Sequence, residues 1–452
     1  MKHKNLHHRS GRRSFIGQCG ILSAGLSLGF HRDSVQAADS TSSLEKLNIA
    51  GIGTQGRAAS NVSGVADQNM VALVDTSQSC LEAAAEKYPH ARQYRDFRVM
   101  LEKEGDNIDA VVVSTADHTH APAAAMAMRM KKHVYCEKPL THTVYEARTL
   151  AHLAQENNLV TQLGTQIHAG NNYRRVVELI QAGAIGEVRE VHVWAGANYS
   201  NRRLVTNRTM PQDIAWDLWL GPSPERTYCE CIDTEGKVMP LHRFNWRWFW
   251  DYGTGGLGDF GCHFIDLVHW ALDLKHPTRI VAKGPEPFLM STTGGIEVTY
   301  EYPARGKLPP VMMKWYDGGK KPAMLKTLKK GQESLQNVSG GQLFVGSEGM
   351  LLSNYHEHHL LPEEKFADFE RPDHSIPSSI GHHKEWVEAI KNGGTTTCNF
   401  DYSGALTEAV LLGVASYRSG EPIEWDAENL RVTNSEKAQQ FIHKEYRKGW
   451  TL

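Results

Sequence analysis

Asp259 and His263 stand four residues apart, a spacing that puts two side chains on one face of a helix. Imidazole titrates near neutral pH, so it takes a proton from a hydroxyl without much tuning. An aspartate beside the ring would orient it and stabilise its protonated form. A lone Asp-x-x-x-His on a helix is commonly a surface pair, but Gly258 and Gly261 bracket this aspartate and Trp270 follows, which favours chemistry. His263, Asp266 and His269, at i, i+3 and i+6, diverge around a helix, so no metal set is read there. The run His356-Glu357-His358-His359 reads as a solvated loop.

A base removes only the proton of an alcohol; the hydride needs a carrier, and residues 47–75 offer one. The mostly apolar run Leu47-Asn48-Ile49-Ala50 reads as a buried strand leading into Gly51-Ile52-Gly53-Thr54-Gln55-Gly56, a G-x-G-x-x-G pattern where a helix should open. Gly51 is expected to allow the tight turn, Gly53 to let the backbone approach a pyrophosphate, and Gly56 to let helix and strand pack closely. Phosphates would sit on the helix N-terminus, beside Thr54 and Gln55. A second apolar strand, Met70-Val71-Ala72-Leu73-Val74, ends in Asp75, near the ~20-residue spacing at which a carboxylate reaches the adenosine ribose. Such a carboxylate accepts from two hydroxyls and repels a 2′-phosphate, which points to NAD over NADP.

The surrounding chain supplies the frame. Strand and helix periods alternate past the glycines, as in a parallel sheet covered by helices. Helices are predicted over residues 77–88, 97–104, 121–130 and 143–157, and strands over 109–113, 133–136 and 159–163. Asp75, Thr115, His120, Lys138 and Gln166 follow strand ends and should line one crevice. His118, His120 and His168 are candidates for its wall, with capping or core bonding as the competing role. From about residue 169 the rhythm changes: a helix over 171–182 precedes strands at 188–194, 296–300 and 310–315, which suggests a largely antiparallel sheet with one face covered. Residues 199–252 read as an insertion rich in tryptophan, of which Trp246, Trp248 and Trp250 could meet a sugar. Residues 318–330 and 354–377 look like loops.

With 452 residues, a formal charge of −2 and a pI near 6.9, the chain has no electrostatic case for nucleic acid. Arg12-Arg13, the small and apolar run over residues 20–30 and the sequence Val35-Gln36-Ala37-Ala38 have the plan of a twin-arginine signal peptide over residues 1–38, which implies a periplasmic protein without a stable membrane anchor. Seven cysteines show no zinc or Cys-x-x-Cys spacing and read as buried thiols.

With Glu137-Lys138-Pro139, Gly164-Thr165-Gln166, the glycine pattern and Asp259-Phe260-Gly261-Cys262-His263, the chain resembles the Gfo/Idh/MocA oxidoreductase family, which includes glucose–fructose oxidoreductase and inositol dehydrogenases. The resemblance implies an α/β protein: a Rossmann dinucleotide-binding domain, here residues 44–168, and a C-terminal α/β domain with a large, mostly antiparallel open sheet, residues 169–452, often used to form oligomers. It places Glu137 and Lys138 beside nicotinamide and substrate, and makes Asp259 and His263 the pair that positions substrate and moves its proton. It implies oxidation of a sugar or sugar derivative linked to NAD or NADP, of which Asp75 favours NAD, and a homo-oligomer, either dimer or tetramer. Export without a free nicotinamide pool calls for a tightly held cofactor recycled in place. A redox-neutral alternative uses the same groups: transient oxidation at C3 of a glycoside, elimination, water addition and reduction. A non-catalytic sugar sensor is disfavoured by the presence of Lys138, Asp259 and His263 together.

Overall fold

Six strands build the first sheet of the computed structural model, which describes residues 45–452. Asn48–Ile52 (β1), Asn69–Val74 (β2), Arg92–Tyr94 (β3), Ala110–Val113 (β4), His133–Glu137 (β5) and Thr161–Gly164 (β6) pair in parallel in the order β3-β2-β1-β4-β5-β6. The central strands are nearly continuous apolar runs because helices cover both faces. Arg57–Gly64 (α1) and Gln78–Lys87 (α2) cover one face; Phe97–Glu104 (α3), Asp117–Arg129 (α4) and Val144–Glu156 (α5) cover the other. The strand order reverses between β1 and β4, which opens a crevice at their carboxyl ends.

Local chemistry sets the helix starts. Ser77 caps α2, Asp96 caps α3, and Thr143 with Glu146 forms a reciprocal capping box on α5. Helix α4 starts at Asp117, one turn before the predicted Ala121, so His118, Thr119 and His120 are helical instead of lying in a loop. These polar residues are weak helix formers, and tertiary packing overrides their propensity.

The second part carries Asn171–Gln181 (α6) and a nine-stranded sheet. Its strands are Val188–Trp194 (β7), then, beyond a small separate sheet of Arg203–Val205 (β8), Glu230–Ile232 (β9) and Val238–Pro240 (β10), Arg279–Lys283 (β11), Glu297–Tyr302 (β12) and Val311–Tyr316 (β13). A hairpin, Lys329–Lys330 (β14) with Glu333–Ser334 (β15), precedes Gly341–Gly346 (β16), Met350–Ser353 (β17), His358–Leu361 (β18), Ile423–Asp426 (β19) and Arg431–Val432 (β20). The order is β18-β17-β16-β7-β13-β12-β11-β19-β20, antiparallel except where β7 meets β13. Trp216–Leu220 (α7) belongs to the insertion. Gly255–Leu272 (α8), α6, His382–Lys391 (α9) and Phe400–Ser419 (α10) supply the later helices, of which α6, α8 and α10 share one core with the sheet.

Three expectations change here. The other face of this sheet is partly covered too, because Leu325 and Leu335 pack on Trp194, Leu343 and Leu352. The segments read as loops contain the β14–β15 hairpin and strand β18, so His358 and His359 lie on a strand and bond Asn172 and Glu357. A split at residue 168 does not separate two cores. Trp386 on α9 is fully buried against β1, β2 and Tyr135, and Cys398, Phe400 and Trp450 enter the opposite face of the first sheet.

The six cysteines among the described residues are buried and unpaired. No helix among those residues is long and apolar enough to cross a membrane. The signal peptide expected over residues 1–38 lies outside the described residues. Because Trp386 closes the sheet face beside α1, Trp386→Ala is expected to cost about 3–5 kcal/mol, measured as a lowered urea midpoint with unchanged slope.

Candidate active site

Strand β1 ends at Ile52 and the chain turns at Gly53, whose φ is +93°. A Cβ there would lie 2.5 Å from the Ser114 carbonyl oxygen, so only glycine fits. The roles expected of the outer glycines are exchanged. Gly51 lies inside β1, where a Cβ would press on Val62 and Leu73; it is the close-packing glycine. Gly56 has φ +61° with open space around its missing Cβ, and it makes the turn into α1. That helix has no side-chain cap and no acidic residue in its first turn. The start of the helix lines the crevice, where only the Ala58 N–H is taken, by the Gln55 carbonyl at 3.2 Å, and Arg57 stands on the same wall.

The crevice has a volume of about 760 Å³ and runs from Asp75 past the glycine turn to Lys138, Asp259 and His263. Its open cradle at Gly56, uncapped helix and elongated shape fit a dinucleotide. Asp75 already accepts bonds from the Thr54 N–H (3.0 Å) and hydroxyl (2.8 Å) and from the Ser77 N–H (2.9 Å). A carboxylate has about four acceptor positions, so room remains for about one ribose hydroxyl, not two. Burial raises the Asp75 pKa against those bonds. Arg95, Arg243 and Trp450 line the same end.

At the other end Lys138, on the turn after β5, donates to the Asp259 carbonyl at 3.1 Å and to its Oδ1. Asp259 Oδ2 accepts from the Tyr199 hydroxyl at 2.6 Å and lies 3.5 Å from Arg247 Nε. Burial opposes the charge of Asp259, but the Lys138 ammonium and Arg247 guanidinium prevail and hold its carboxyl well below the usual range. His263 lies one turn along α8 on the crevice wall, and its Nδ1 is buried without a partner among the described residues. Burial and then Lys138 push this imidazole down to about 3. Asp259 thus does not orient His263 by a hydrogen bond as expected, because charge-assisted bonds to Lys138 outcompete a neutral ring.

Behind this wall a second carboxylate, Asp117, accepts from the Thr254 hydroxyl at 2.9 Å. Burial, aided by Asp259 and opposed by Arg247 and Lys138, pushes Asp117 up to about 7. A Cβ on Gly258 would collide with Thr254 Oγ1, so this glycine makes room for the contact.

Of the residues expected to share the crevice, Asp75, Thr115, Glu137 and Lys138 line it, as do Gly53, Thr54, Gln55 and Gly56. His120 and Gln166 stand behind the wall. The ring nitrogens of His120 lie 2.8 Å from the Pro139 carbonyl and 3.1 Å from the Thr115 carbonyl, of which the neutral ring donates to one, and Gln166 donates to Glu137 Oε1 at 2.7 Å and to the Tyr135 hydroxyl. Asn61 donates to the same Glu137 oxygen at 2.9 Å, so the glutamate is clamped from two sides. His118 reaches the wall with its Nε2 on the Trp219 carbonyl. His168 does not reach it: buried, it pairs with Asp266 at 2.9 Å and stacks on Trp270. Cys398 lies within 4.8 Å of that pair, but His168 Nδ1 is already engaged by the Asp266 carboxylate. Of the three tryptophans, Trp246 lines the crevice, while Trp248 packs on Tyr199 and Arg202 and Trp250 bonds the Phe288 carbonyl. Arg57, Arg95, Asp117, Tyr199, Arg243, Arg247 and Trp450 were not singled out by sequence, and Trp219 stood out only as one of the tryptophans crowding the insertion.

Two models of one oxidoreductase family match the chain. The NAD-binding Rossmann fold matches residues 46–165 and the C-terminal alpha/beta domain residues 174–308, together more than half of its length. The inositol 2-dehydrogenase of Salmonella typhimurium is 30% identical over 274 residues, which span 57% of this chain and 66% of that protein. The dehydrogenase WlbA of Bordetella pertussis, solved with NADH and UDP-GlcNAcA, shares the fold with a TM-score of 0.58 at 16% identity, covering 84% of this chain and 99% of that one. GenD2 from gentamicin A biosynthesis, solved with NAD, gives 0.56 at 19% identity over 86% and 99%.

Five buried imidazoles make the protein acid-sensitive. Burial pushes His118, His263, His269 and His382 down to about 3 and His120 to about 4. Unfolded, each titrates near ~6.5, so the unfolded chain binds more protons from about pH 6.5 downward and stability falls by up to ~1.4 kcal/mol per pH unit per group. Burial raises the carboxyls of Asp117 to about 7, of Asp317 to about 6 and of Asp75 above its ordinary value, and these act oppositely as they protonate, but the imidazoles outnumber them. Urea midpoints measured from pH 7.5 to 4.5 should fall steadily; a flat profile would contradict this burial of neutral histidines.

Proposed function

The chain belongs to the Gfo/Idh/MocA oxidoreductase family, and from that premise we propose that it oxidises a secondary alcohol of a sugar or sugar derivative with NAD held in the crevice. The observation that carries this reading is that one cavity contains both the glycine turn and the Lys138–Asp259–His263 group. Bound NAD would supply the hydride acceptor. Lys138, fixed by Asp259, presents its remaining N–H toward the substrate hydroxyl and stabilises developing alkoxide charge. His263, neutral at physiological pH, accepts the hydroxyl proton. A ring of such low basicity suffices because the Lys138 ammonium makes the bound hydroxyl more acidic and the proton leaves in concert with the hydride, whose loss from the same carbon acidifies the hydroxyl further. Tyr199 and Arg247 hold Asp259 so that its charge stays on Lys138.

Trp246 offers an aromatic face to sugar C–H groups at this end. A hydride and a proton leave the sugar, so a second carbonyl substrate must take the hydride back, with a proton, if the cofactor stays bound. The 30% identity to an inositol 2-dehydrogenase supports a polyol or sugar as substrate. The basic N-terminal segment with Arg12-Arg13 supports export by the twin-arginine route. Replacing both arginines by lysine is expected to retain the protein in the cytoplasm on cell fractionation.

Lys138→Ala and His263→Ala should each lower kcat by about 10²- to 10⁴-fold, with dinucleotide binding retained in the His263 variant. Incubating the purified enzyme with sugars and aryl glycosides, without added cofactor, should yield a keto-sugar detectable by mass spectrometry. Release of the aglycone instead would replace net oxidation by the elimination pathway.

A further inference from the structure

The adenosine end of the crevice carries a contradiction of charge. Asp75 faces the ribose position, yet Arg95, Arg243 and the first turn of α2 line the same wall. Two guanidiniums beside a helix N-terminus are what a phosphate group would seek. That place is filled from within the chain. Asp213, in the insertion, accepts the Ser79 N–H at 2.7 Å on Oδ1 and the Ser77 hydroxyl at 2.6 Å on Oδ2. Its backbone carbonyl accepts the Gln78 N–H at 2.9 Å and Arg95 Nη2 at 3.0 Å. Ala215 N–H donates to the Thr76 carbonyl at 2.8 Å, and Ser77 bridges Ile214 in antiparallel fashion, so the insertion is laced to the start of α2 over residues 213–215. Arg95 also donates to the Gln78 side chain and the Thr76 carbonyl, while its Nε is buried without a partner among the described residues. Burial works against the charge of Asp213, but the bonds from Ser77 and Ser79 and the nearby Arg243 keep its carboxyl below the ordinary range.

We propose that Asp213 is a specificity-determining residue: it brings a resident carboxylate to the α2 N-terminus where the 2′-phosphate of NADP would have to bind, so the crevice accepts NAD and rejects NADP. This rests on the reading of the crevice as a dinucleotide site. A 2′-phosphate would meet two carboxylates, Asp75 and Asp213, and would find the Ser79 N–H, the Ser77 hydroxyl and the Nη2 of Arg95 already engaged. The free hydroxyl of NAD needs none of them. Removing the carboxylate frees the Ser79 N–H and the Ser77 hydroxyl and takes from Arg243 the negative charge of Asp213, while Arg95 stays beside Asp75.

The test is calorimetric titration of full-length wild type, D213N, D213A and D213A/R95A with NAD and with NADP, with unfolding temperatures recorded alongside. Wild type should favour NAD. D213A should bind NADP at least about tenfold more tightly than wild type, a change of ~1.4 kcal/mol, while NAD affinity moves by less than about threefold. D213N, which retains the side-chain acceptor for Ser79 without the charge, should gain in the same direction and carries the test if D213A fails to fold. R95A added to D213A should reverse the gain. Unchanged NADP affinity in the folded variants, or parallel weakening of both dinucleotides, would overturn the proposal and leave Asp213 as a helix cap only. Wild type that binds neither dinucleotide would overturn the dinucleotide site itself, a result distinct from either of these.

Discussion

The pairing of Lys138 with Asp259 fixes the geometry on which the rest of the site depends. The two residues come from the end of β5 and from α8, and each side chain is 11% exposed. In a poorly solvated setting the loss of either partner leaves an uncompensated charge, which costs far more than the pair itself contributes. The pair therefore acts as a registration pin between the parallel sheet and the helix that carries the imidazole. Asp259 takes further contacts from Tyr199 and Arg247, so three distant segments converge on one carboxylate. Its charge being committed there, His263 is left neutral and without a partner on Nδ1.

The surroundings of this pin keep charge nearly balanced. Lys138 and Arg247 face Asp259 and Asp117, and the latter is pushed up to about 7. Two carboxylates so placed cannot both carry full charge cheaply, and the two cations decide which does. Asp259, directly bonded to the ammonium, stays ionised. Asp117, bonded to a hydroxyl, is the group whose charge yields. Glu137 is treated differently again: Asn61 and Gln166 donate to one oxygen and the Lys138 N–H to the other, so the residue preceding the lysine is held by neutral donors. The backbone that carries Lys138 is thereby fixed independently of its side chain.

Features that are local in the sequence were legible there. The glycine turn, Asp75 at the end of β2 and the helical spacing of Asp259 and His263 all follow from contiguous residues and known periods. Their finer roles were not. The pattern names three glycines without saying where β1 ends, and that end point exchanges the tasks of Gly51 and Gly56. His120 and Gln166 follow strand ends as expected but turn into bonding partners of the wall, because buried polar groups take the nearest backbone carbonyl or carboxylate. His168 has the same local signature as His118, and only the tertiary position of Asp266 separates them. The return of α9 and Trp450 to the first sheet has no local signal, since an apolar stripe does not say which core it will join.

The insertion over residues 199–252 explains why its tryptophans matter without most of them meeting a ligand. It has little regular sheet of its own, so a cluster of Trp216, Trp219, Tyr228, Trp246, Trp248 and Tyr252 supplies its core. Trp216 stacks on Trp219 at 4.8 Å, and the edge of His118 from α4 packs on Trp219 and Tyr252, which seats the cluster on the first sheet. Aromatic packing of this kind is rigid and buries a large area per residue. It holds parts of the segment at both ends of the crevice: Asp213 against the start of α2, and Tyr199 and Arg247 against Asp259. The two charges are separated by the tryptophan core, so their spacing is set by packing and not by the flexible chain between them. A segment whose sequence resembles a loop thus reaches both the adenosine end and the reacting end of the crevice, and its polar residues act there because its apolar ones do not move.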